Sequence, residues 1–322
     1  MSALSVEGLR VRLSTAGGDV TVVDGVDYEV QPAEVFGIAG ESGSGKTVSM
    51  LALLGLLPEG STVEGSARFG EDDLVAISRR RLQTISGRDI AMVFQDPYTS
   101  LHPMLSVGKQ LTEHVRLHLG LDRRAAEDRA VELLDDVRIP DPRAALRRFP
   151  HQFSGGMRQR IAIAIALACR PRLLIADEPT TALDVTVQAG ILHLLDRLRR
   201  EHELAVVLIT HDLGVLSSIA DRVSIFYAGR VVESGVREDV LQRPRHPYTR
   251  ALLDALPHPE APKEQDLVAI AGAPPTPGRI PPGCAFHPRC AYAIEECRAV
   301  VPPLEPVGDR RLSCHVDPFA GS

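Results

Sequence analysis

The chain has 322 residues, of which 44% are hydrophobic, so it can bury one large core or two smaller ones. Its formal net charge of -6 does not suggest a nucleic-acid partner. No signal peptide is recognisable in the opening residues, and no apolar run approaches the roughly 18–20 residues that span a bilayer. We therefore expect a soluble cytosolic protein, which another subunit would hold if it works at a membrane.

The N-terminal part predicts strands followed by a helix. Residues 6–12 and 20–30 alternate like half-buried strands around a glycine turn at 17–19, which predicts a hairpin. Residues 35–39 form a short apolar strand that leads into a glycine-rich loop. Residues 47–57 predict a helix that the following proline stops.

The glycine-rich loop matches the phosphate-binding pattern G-x-x-x-x-G-K-[ST]. Free backbone N–H groups and the dipole of the following helix favour phosphate oxygens. Lys46 is expected to reach the β- and γ-phosphates of ATP, and Thr47 to bind Mg²⁺ through its hydroxyl. The alternative is a glycine-rich turn with a chance lysine, which the preceding strand and the following helix disfavour. The residues expected to hold the phosphates are Gly40, Ser42, Gly43, Ser44, Gly45, Lys46 and Thr47.

The middle of the chain predicts a mostly helical block. Residues 90–94 predict a strand that ends at Gln95, and helices are predicted at 105–119 and 123–137. An apolar helix at 157–169 follows a Ser-Gly-Gly sequence directly. The N–H groups at such a helix start form a second candidate anion site, and the alternative is an ordinary helix N-cap. The three residues of this motif are Ser154, Gly155 and Gly156.

A second apolar strand, at 172–176, ends in two acidic residues. Asp177 is expected to hold Mg²⁺ through water, and Glu178 to orient and deprotonate the attacking water. The alternative is an ordinary solvated acidic pair at a strand end. The phosphate loop upstream and a histidine at the end of the next strand, His211, disfavour that alternative.

The remaining pattern defines the fold class and a domain boundary. A helix at 185–201, a strand at 204–210 and a closing hairpin at 223–234 complete an alternation of strands and helices. Phosphate chemistry at strand ends is typical of the α/β class. Proline and glycine become dense after about residue 240, so we predict a nucleotide-binding domain at 1–240 and a C-terminal extension at 241–322.

The motifs in this order resemble the ATPase subunit of ABC transporters over roughly the first three quarters of the chain. The resemblance implies an ABC-type P-loop ATPase fold with a mixed sheet core, an antiparallel β subdomain and a helical subdomain at about 97–158. It implies that Gln95 contacts Mg²⁺ and the attacking water, and that His211 contacts the γ-phosphate. It also implies that the Ser-Gly-Gly motif caps the γ-phosphate held by the opposite subunit. The segment 182–184, which ends in Asp184, would cross the interface of such an ATP-closed dimer.

One feature departs from the resembled family, which usually has an aromatic residue near the end of the first strand to stack on adenine. Residues 11–14 contain no aromatic side chain. Arg12 or Leu13 is expected to cover the base instead.

Two further segments resemble one branch of that family, the dipeptide and oligopeptide importers, a branch that also includes nickel importers. Residues 95–103 are similar to the segment after the glutamine in that branch, and residues 98–104 are expected to contact the membrane subunit. Residues 245–252 resemble the hallmark of its C-terminal extension, although a capped surface helix is the alternative. Met157 follows the Ser-Gly-Gly sequence at a position where many relatives have glutamine, and in this the chain resembles the first of the two ATPase subunits of such systems.

The resemblance implies a function and an assembly. The chain would hydrolyse ATP to power import of di- or oligopeptides from the cytoplasmic face of the membrane. Its partners would be a second ATPase subunit, two membrane permease subunits and an extracytoplasmic peptide-binding protein, with no nucleic acid. The alternatives are a nickel or other small-solute importer, a soluble ABC ATPase outside transport, and an inactive regulatory half-site.

Four of the five cysteines lie in the C-terminal extension. Cytosolic proteins rarely keep disulfides, and the C-x5-C-x6-C-x16-C spacing lacks the C-x2-C pairs common in zinc modules. Thiolates also hold [4Fe–4S] clusters, which the resembled peptide importers carry in this region. We therefore predict an iron–sulfur cluster, with zinc or no metal as alternatives. Its ligands would be Cys284, Cys290, Cys297 and Cys314.

Overall fold

The computed structural model describes residues 2–96, 100–181, 183–256 and 269–320. The chain forms two compact units. The helical unit contains residues up to 4, 30–35 and 76–209, and the phosphate-loop unit contains residues 5–29, 36–75 and those from 210 onwards.

Strands and helices alternate along most of the chain. The strands are β1 (Leu4–Thr15), β2 (Gly18–Val30), β3 (Val35–Ala39), β4 (Thr62–Phe69), β5 (Asp72–Asp73), β6 (Ile90–Val93), β7 (Leu173–Asp177), β8 (Ala205–Ile209), β9 (Arg222–Tyr227), β10 (Arg230–Val236), β11 (Glu305–Val307) and β12 (Arg310–Leu312). The α-helices are α1 (Lys46–Leu53), α2 (Arg79–Ile85), α3 (Val107–Leu119), α4 (Arg123–Asp136), α5 (Pro142–Ala145), α6 (Gly155–Ala166), α7 (Val185–His202), α8 (Leu213–Ile219), α9 (Arg237–Gln242), α10 (Pro247–Asp254) and α11 (Glu295–Ala299). Short 3-10 helices lie at Pro150–Gln152 and His287–Arg289.

The phosphate-loop unit contains two sets of paired strands. An antiparallel sheet has the order β2-β1-β4-β5, which confirms the predicted N-terminal hairpin. In the second set β3 lies parallel to β9, and β10, β12 and β11 continue from β9 in antiparallel pairs. The hairpin predicted around Gly229 is therefore confirmed. The sequence did not predict β4 and β5, because β4 is mostly exposed and shows no clear alternation.

The helical unit contains the parallel strands β6, β7 and β8, in that order, with every residue of β7 and β8 buried. The four helices predicted in this unit are present as α3, α4, α6 and α7, with small differences at their ends, whereas α5 was not predicted. Helix α6 begins at Gly155 rather than 157, because the Ser154 side chain accepts a hydrogen bond from the Met157 N–H and caps the helix. Helix α2 was not predicted, since it buries only Leu82 and Ile85.

A buried carboxylate attaches the C-terminal extension within the phosphate-loop unit. Glu233 on β10 is fully buried, and it accepts hydrogen bonds from the N–H groups of Arg245 and His246 at 2.9 and 3.0 Å. The Arg310 guanidinium on β12 adds an ion pair at 2.9 Å. Three donors therefore compensate the desolvation of this carboxylate and connect β10 to the start of α10 and to β12.

An aromatic cluster packs in the same unit. The rings of Tyr227 and Tyr248 lie 4.5 Å apart, and Phe286 lies 5.3 Å from each of them. Tyr248 and Thr249 are completely buried. The alternative interpretation of residues 245–252 as a surface helix is therefore wrong, although the helix is capped as that interpretation supposed.

His246 is the N-cap of α10, and its burial leads us to expect that the free energy of unfolding depends on pH. Its Nδ1 accepts a hydrogen bond from the Tyr248 N–H at 3.0 Å, and burial lowers its pKa to about 3. His246 binds a proton near pH 6.5 in the unfolded chain but stays neutral at that pH in the folded chain. Its full contribution to the free energy of unfolding is therefore present above pH 6.5 and decreases as the pH drops towards 3. Between pH 7.5 and 5 this histidine should remove about 2 kcal/mol of unfolding free energy.

Denaturant unfolding at both pH values checks this expectation. His246→Asn keeps an N-capping side chain without a titrating group, so the variant should lose less stability on acidification. The same substitution at the exposed His151 is the control and should leave the pH dependence unchanged. Equal pH dependence in wild type and His246→Asn would contradict the expectation.

Candidate functional site

The glycine-rich loop adopts backbone conformations that only glycine supports. Gly40 has φ 146°, and a Cβ there would lie 2.1 Å from the Phe226 carbonyl oxygen. Gly45 has φ 97°, and its Cβ would lie 2.8 Å from the Val22 carbonyl oxygen. Side chains at these positions would clash with backbone, so the loop conformation accounts for both glycines.

The loop leads into a helix start that suits an anion. Helix α1 begins at Lys46 with Gly45 as its N-cap, and no side chain caps it. The first N–H groups of a helix have no partner within the helix, and its dipole adds positive potential there. Lys46 is buried, and its Nζ donates to the carbonyl oxygens of Gly40 at 2.8 Å and Glu41 at 2.9 Å. The lysine ammonium therefore lies against the loop.

In the helical unit, the structure brings together two of the residues singled out in the sequence. The Gln95 side-chain amide donates to Glu178 Oε2 at 2.9 Å. The hydroxyl of Thr181 donates to the same oxygen at 2.8 Å. These two hydrogen bonds fix the orientation of the Glu178 carboxylate.

The role of Thr181 was not predicted from the sequence, where the only signal is a hydroxyl residue three positions after Glu178. In the structure a turn brings the two together, closed by a hydrogen bond from the Thr181 N–H to the Glu178 carbonyl at 3.2 Å.

The two neighbouring acidic residues have different surroundings. Asp177 ends β7 and is only 4% exposed, whereas Glu178 is half-buried. Glu178 has φ 46°, an uncommon backbone region for a residue with a side chain, and its N–H donates to the Ile209 carbonyl at 2.8 Å. Strained backbone of this kind often lies at functional sites. The geometry therefore separates the environments of the two carboxylates.

The Ser-Gly-Gly motif opens α6, and the Ser154 cap shows that the alternative N-cap interpretation describes a real structural role. A Cβ on Gly156 would lie 2.4 Å from Cγ1 of Val187, so packing against α7 requires glycine there. Asp184 caps α7 by accepting from the Val187 N–H at 2.9 Å. Both capping side chains, Ser154 and Asp184, belong to exposed residues. Residue 182 of the predicted interface segment lies outside the described residues.

Three other expected site residues, His211, Arg12 and Leu13, lie in the phosphate-loop unit. His211 is exposed and follows β8 in the chain by two residues. Arg12, one of the residues expected to cover adenine, forms an exposed ion pair with Glu64 at 3.0 Å, and Leu13 is half-buried. Their contact with a nucleotide stays a prediction.

The glycine-rich loop and its lysine define the class of P-loop nucleotide-binding proteins. A family model described as "ABC transporter" matches residues 23–181, and one described as "Oligopeptide/dipeptide transporter, C-terminal region" matches residues 232–297. Within residues 2–96, 100–181, 183–256 and 269–320, no helix is long and apolar enough to cross a membrane.

Similar proteins extend these matches. The oligopeptide transport ATP-binding protein OppD of Salmonella typhimurium is 47% identical over 96% of this chain and 92% of its own length. The dipeptide transport ATP-binding protein DppD of Haemophilus influenzae is 45% identical over 98% of this chain and 96% of its own. The dimeric post-hydrolysis structure of the ATP-binding cassette MJ0796, bound to ADP and Pi, has a TM-score of 0.65 at 25% identity, covering 73% of this chain and 98% of that one.

The chain therefore belongs to the ABC transporter ATP-binding proteins, in their oligopeptide and dipeptide branch. It is an ABC-type ATPase, and ATP is its nucleotide. The predicted family and fold class are confirmed.

The predicted iron–sulfur cluster is wrong. The four cysteines of the extension are free and line one small cavity, but the described part of the chain contains no group of three or more His, Cys, Asp or Glu that could hold a metal ion. The same finding removes the zinc alternative. Burial raises the pKa of Cys284 to about 11 and also raises the pKa of Cys290 and Cys314, so these groups stay as thiols. In the described part of the extension, the buried Glu233 network and the aromatic cluster supply packing contacts.

Proposed function

We propose that this chain is the ATP-hydrolysing subunit that powers import of di- or oligopeptides through an ABC importer. The observation that carries the proposal is the succession of two family matches in one chain. The ABC transporter match at 23–181 is followed by the oligopeptide/dipeptide transporter match at 232–297. We further propose the division into a nucleotide-binding domain at 1–240, with a helical subdomain at about 97–158, and an extension at 241–322.

The phosphate loop is proposed to bind the nucleotide. The N–H groups at the start of α1, its dipole and the Lys46 ammonium supply the positive potential that phosphates need. Gly40, Ser42, Gly43, Ser44 and Gly45 shape the loop for them. Mg²⁺, when bound, would neutralise phosphate charge, and the proposed ligands are the Thr47 hydroxyl, the Gln95 amide oxygen and, through water, Asp177.

Glu178 is proposed as the general base of hydrolysis. Its carboxylate would accept a proton from the attacking water, while Gln95 and Thr181 hold that carboxylate in one orientation. His211 is proposed to contact the γ-phosphate.

The Ser154-Gly155-Gly156 motif is proposed to complete the site of a second ATPase subunit in a heterodimer. The half-buried start of α6, which follows the exposed Ser154, has a helix dipole that suits an anion supplied by a partner. Asp184 is proposed to lie at that interface.

Two membrane permease subunits and an extracytoplasmic peptide-binding protein are the remaining proposed partners. They would hold the chain at the cytoplasmic face of the membrane. The permease contact is proposed at 98–104, of which residues 98 and 99 lie outside the described residues. Within this segment Met104 is 77% exposed, which suits an apolar contact with a partner.

Reconstitution of the whole complex tests the proposed function. The isolated chain should hydrolyse ATP slowly, because its Ser-Gly-Gly motif serves a partner's site. ATPase activity should rise when the second ATPase subunit and the permeases are present, and rise again with peptide-loaded binding protein.

Nickel ions without peptide serve as the control ligand. Stimulation by nickel alone would favour a nickel importer. Fast, concentration-independent hydrolysis by the monomer would contradict the shared site and favour a soluble ABC ATPase.

A further inference from the structure

Three groups of Glu41 in the phosphate loop, its carboxylate, its backbone N–H and its carbonyl oxygen, are bonded to residues of the same unit. Its carboxylate contacts Arg289, its N–H contacts Tyr248, and its carbonyl oxygen contacts Lys46. Arg289 and Tyr248 both belong to the C-terminal extension. The extension therefore contacts Glu41 directly, and Glu41 in turn accepts a hydrogen bond from Lys46, the lysine of the phosphate loop.

The Arg289 contact is a two-point ion pair. Nη1 donates to Glu41 Oε2 at 2.7 Å, and Nη2 donates to Oε1 at 3.0 Å. The Arg289 side chain is only 4% exposed. A planar guanidinium in this arrangement fixes the orientation of the carboxylate as well as neutralising it.

Arg289 is itself held in place. Its Nε donates to the Ala271 carbonyl at 2.9 Å, and Nη1 also donates to the Tyr227 hydroxyl at 3.3 Å. It ends the short 3-10 helix His287–Arg289. These hydrogen bonds restrict the conformations of the guanidinium, and the ion pair therefore also restricts the position of the Glu41 carboxylate.

The Tyr248 contact is equally constrained. The hydroxyl oxygen accepts the Glu41 N–H at 2.8 Å, and the ring is completely buried between Tyr227 and Phe286. Burial raises the pKa of Tyr248 above its usual value, so the phenol stays protonated. A neutral, immobile acceptor therefore holds the backbone of the loop.

These contacts bear on charge as well as position. An unneutralised Glu41 carboxylate would repel an approaching phosphate, because it lies in the loop that supplies N–H groups to that phosphate. Arg289 balances this charge from outside the loop. Tyr248 and Lys46 then bond the two ends of the Glu41 backbone unit.

We propose that Arg289 and Tyr248 are positioning residues for ATP binding, through which the C-terminal extension holds Glu41 and so the Lys46 end of the phosphate loop. This proposal rests on the proposed binding of ATP at that loop. Neither residue touches the nucleotide; both act through Glu41.

The first measurement is the affinity of the full chain for Mg-ATP, by titration with a fluorescent ATP analogue. Tyr248→Phe removes only the hydroxyl and keeps the buried ring. Arg289→Gln removes the charge, whereas Arg289→Lys keeps the charge but cannot form the two parallel hydrogen bonds of the guanidinium. Affinity should fall about 3- to 30-fold for Tyr248→Phe and Arg289→Gln, the range expected for coupling through intermediate residues. Arg289→Lys should recover part of the loss.

A double substitution separates positioning from general damage to the fold. If Arg289 acts through Glu41, Glu41→Gln combined with Arg289→Gln should weaken binding less than the two single changes multiplied together. Arg298→Gln, in an exposed 3.9 Å pair with Glu295, is the matched control in the same extension and should bind like wild type. In the assembled transporter, KM for ATP should rise in Tyr248→Phe more than kcat falls.

The outcomes distinguish the possible failures. Wild-type affinity in both Tyr248→Phe and Arg289→Gln overturns the positioning role, as does a lowered melting temperature with unchanged affinity. If wild type binds no ATP, or Lys46→Ala binds as tightly as wild type, the proposed nucleotide site fails and the positioning role fails with it.

Discussion

Glu178→Gln is expected to abolish most ATP hydrolysis while ATP binding survives. Glutamine has nearly the shape of glutamate but cannot accept a proton from water at neutral pH. Loss of a general base typically slows a reaction by about 10²–10⁴-fold. The variant should accumulate an ATP-bound, closed dimer with its ATPase partner, which size-exclusion chromatography in Mg-ATP would detect alongside phosphate release.

The control for this variant is Glu132→Gln, because Glu132 is an exposed residue on α4 whose only described ion pair is with Arg129. It should retain normal turnover. Hydrolysis near the wild-type rate by Glu178→Gln in the assembled transporter would remove Glu178 from the proposed role. The substitution should also keep the side chain in place, because the amide oxygen of glutamine can accept the hydrogen bonds from Gln95 and Thr181.

Lys46→Ala should act on binding rather than on the chemical step. The Nζ group lies against the phosphate loop, bonded to the carbonyls of Gly40 and Glu41, and no other lysine occurs in the loop. Charge-assisted hydrogen bonds contribute about 1.5–3 kcal/mol each, so losing the ammonium should weaken Mg-ATP binding on the order of 100-fold.

Lys109→Ala is the matched control. Lys109 lies on α3 in a largely exposed pair with Glu113 at 3.7 Å, so its loss should leave nucleotide affinity unchanged. Thermal melting of both variants would show whether the fold persists. Tight ATP binding by a folded Lys46→Ala protein would rule out the proposed phosphate contact.

Several elements could be predicted because their signals are local. The strand β3 has the bounds expected from its apolar run, and α7 starts at the expected residue, after the capping Asp184. Element ends were less accurate where capping decides them. Helix α1 ends at Leu53, four residues before the expected end, and Gly55 follows with φ 65°.

The C-terminal extension shows where local signals mislead. Four cysteines in a proline-rich segment resembled a metal-ordered region, but sequence alone does not show which other groups pack there. The sequence does not show that Glu233 and Tyr248, which pack in this region, are completely buried. Their effect depends on burial, which no short pattern encodes.

The phosphate loop, the acidic end of β7 and the family could be recognised in the unfolded chain, because each depends on residue types at fixed short spacings. The contacts that hold these groups in place could not. The contacts from Tyr248 and Arg289 to Glu41 join residues 207 and 248 positions apart, and that from Gln95 to Glu178 spans 83. Such contacts depend on how distant segments pack, so the spacing of residues along the chain carries no signal for them.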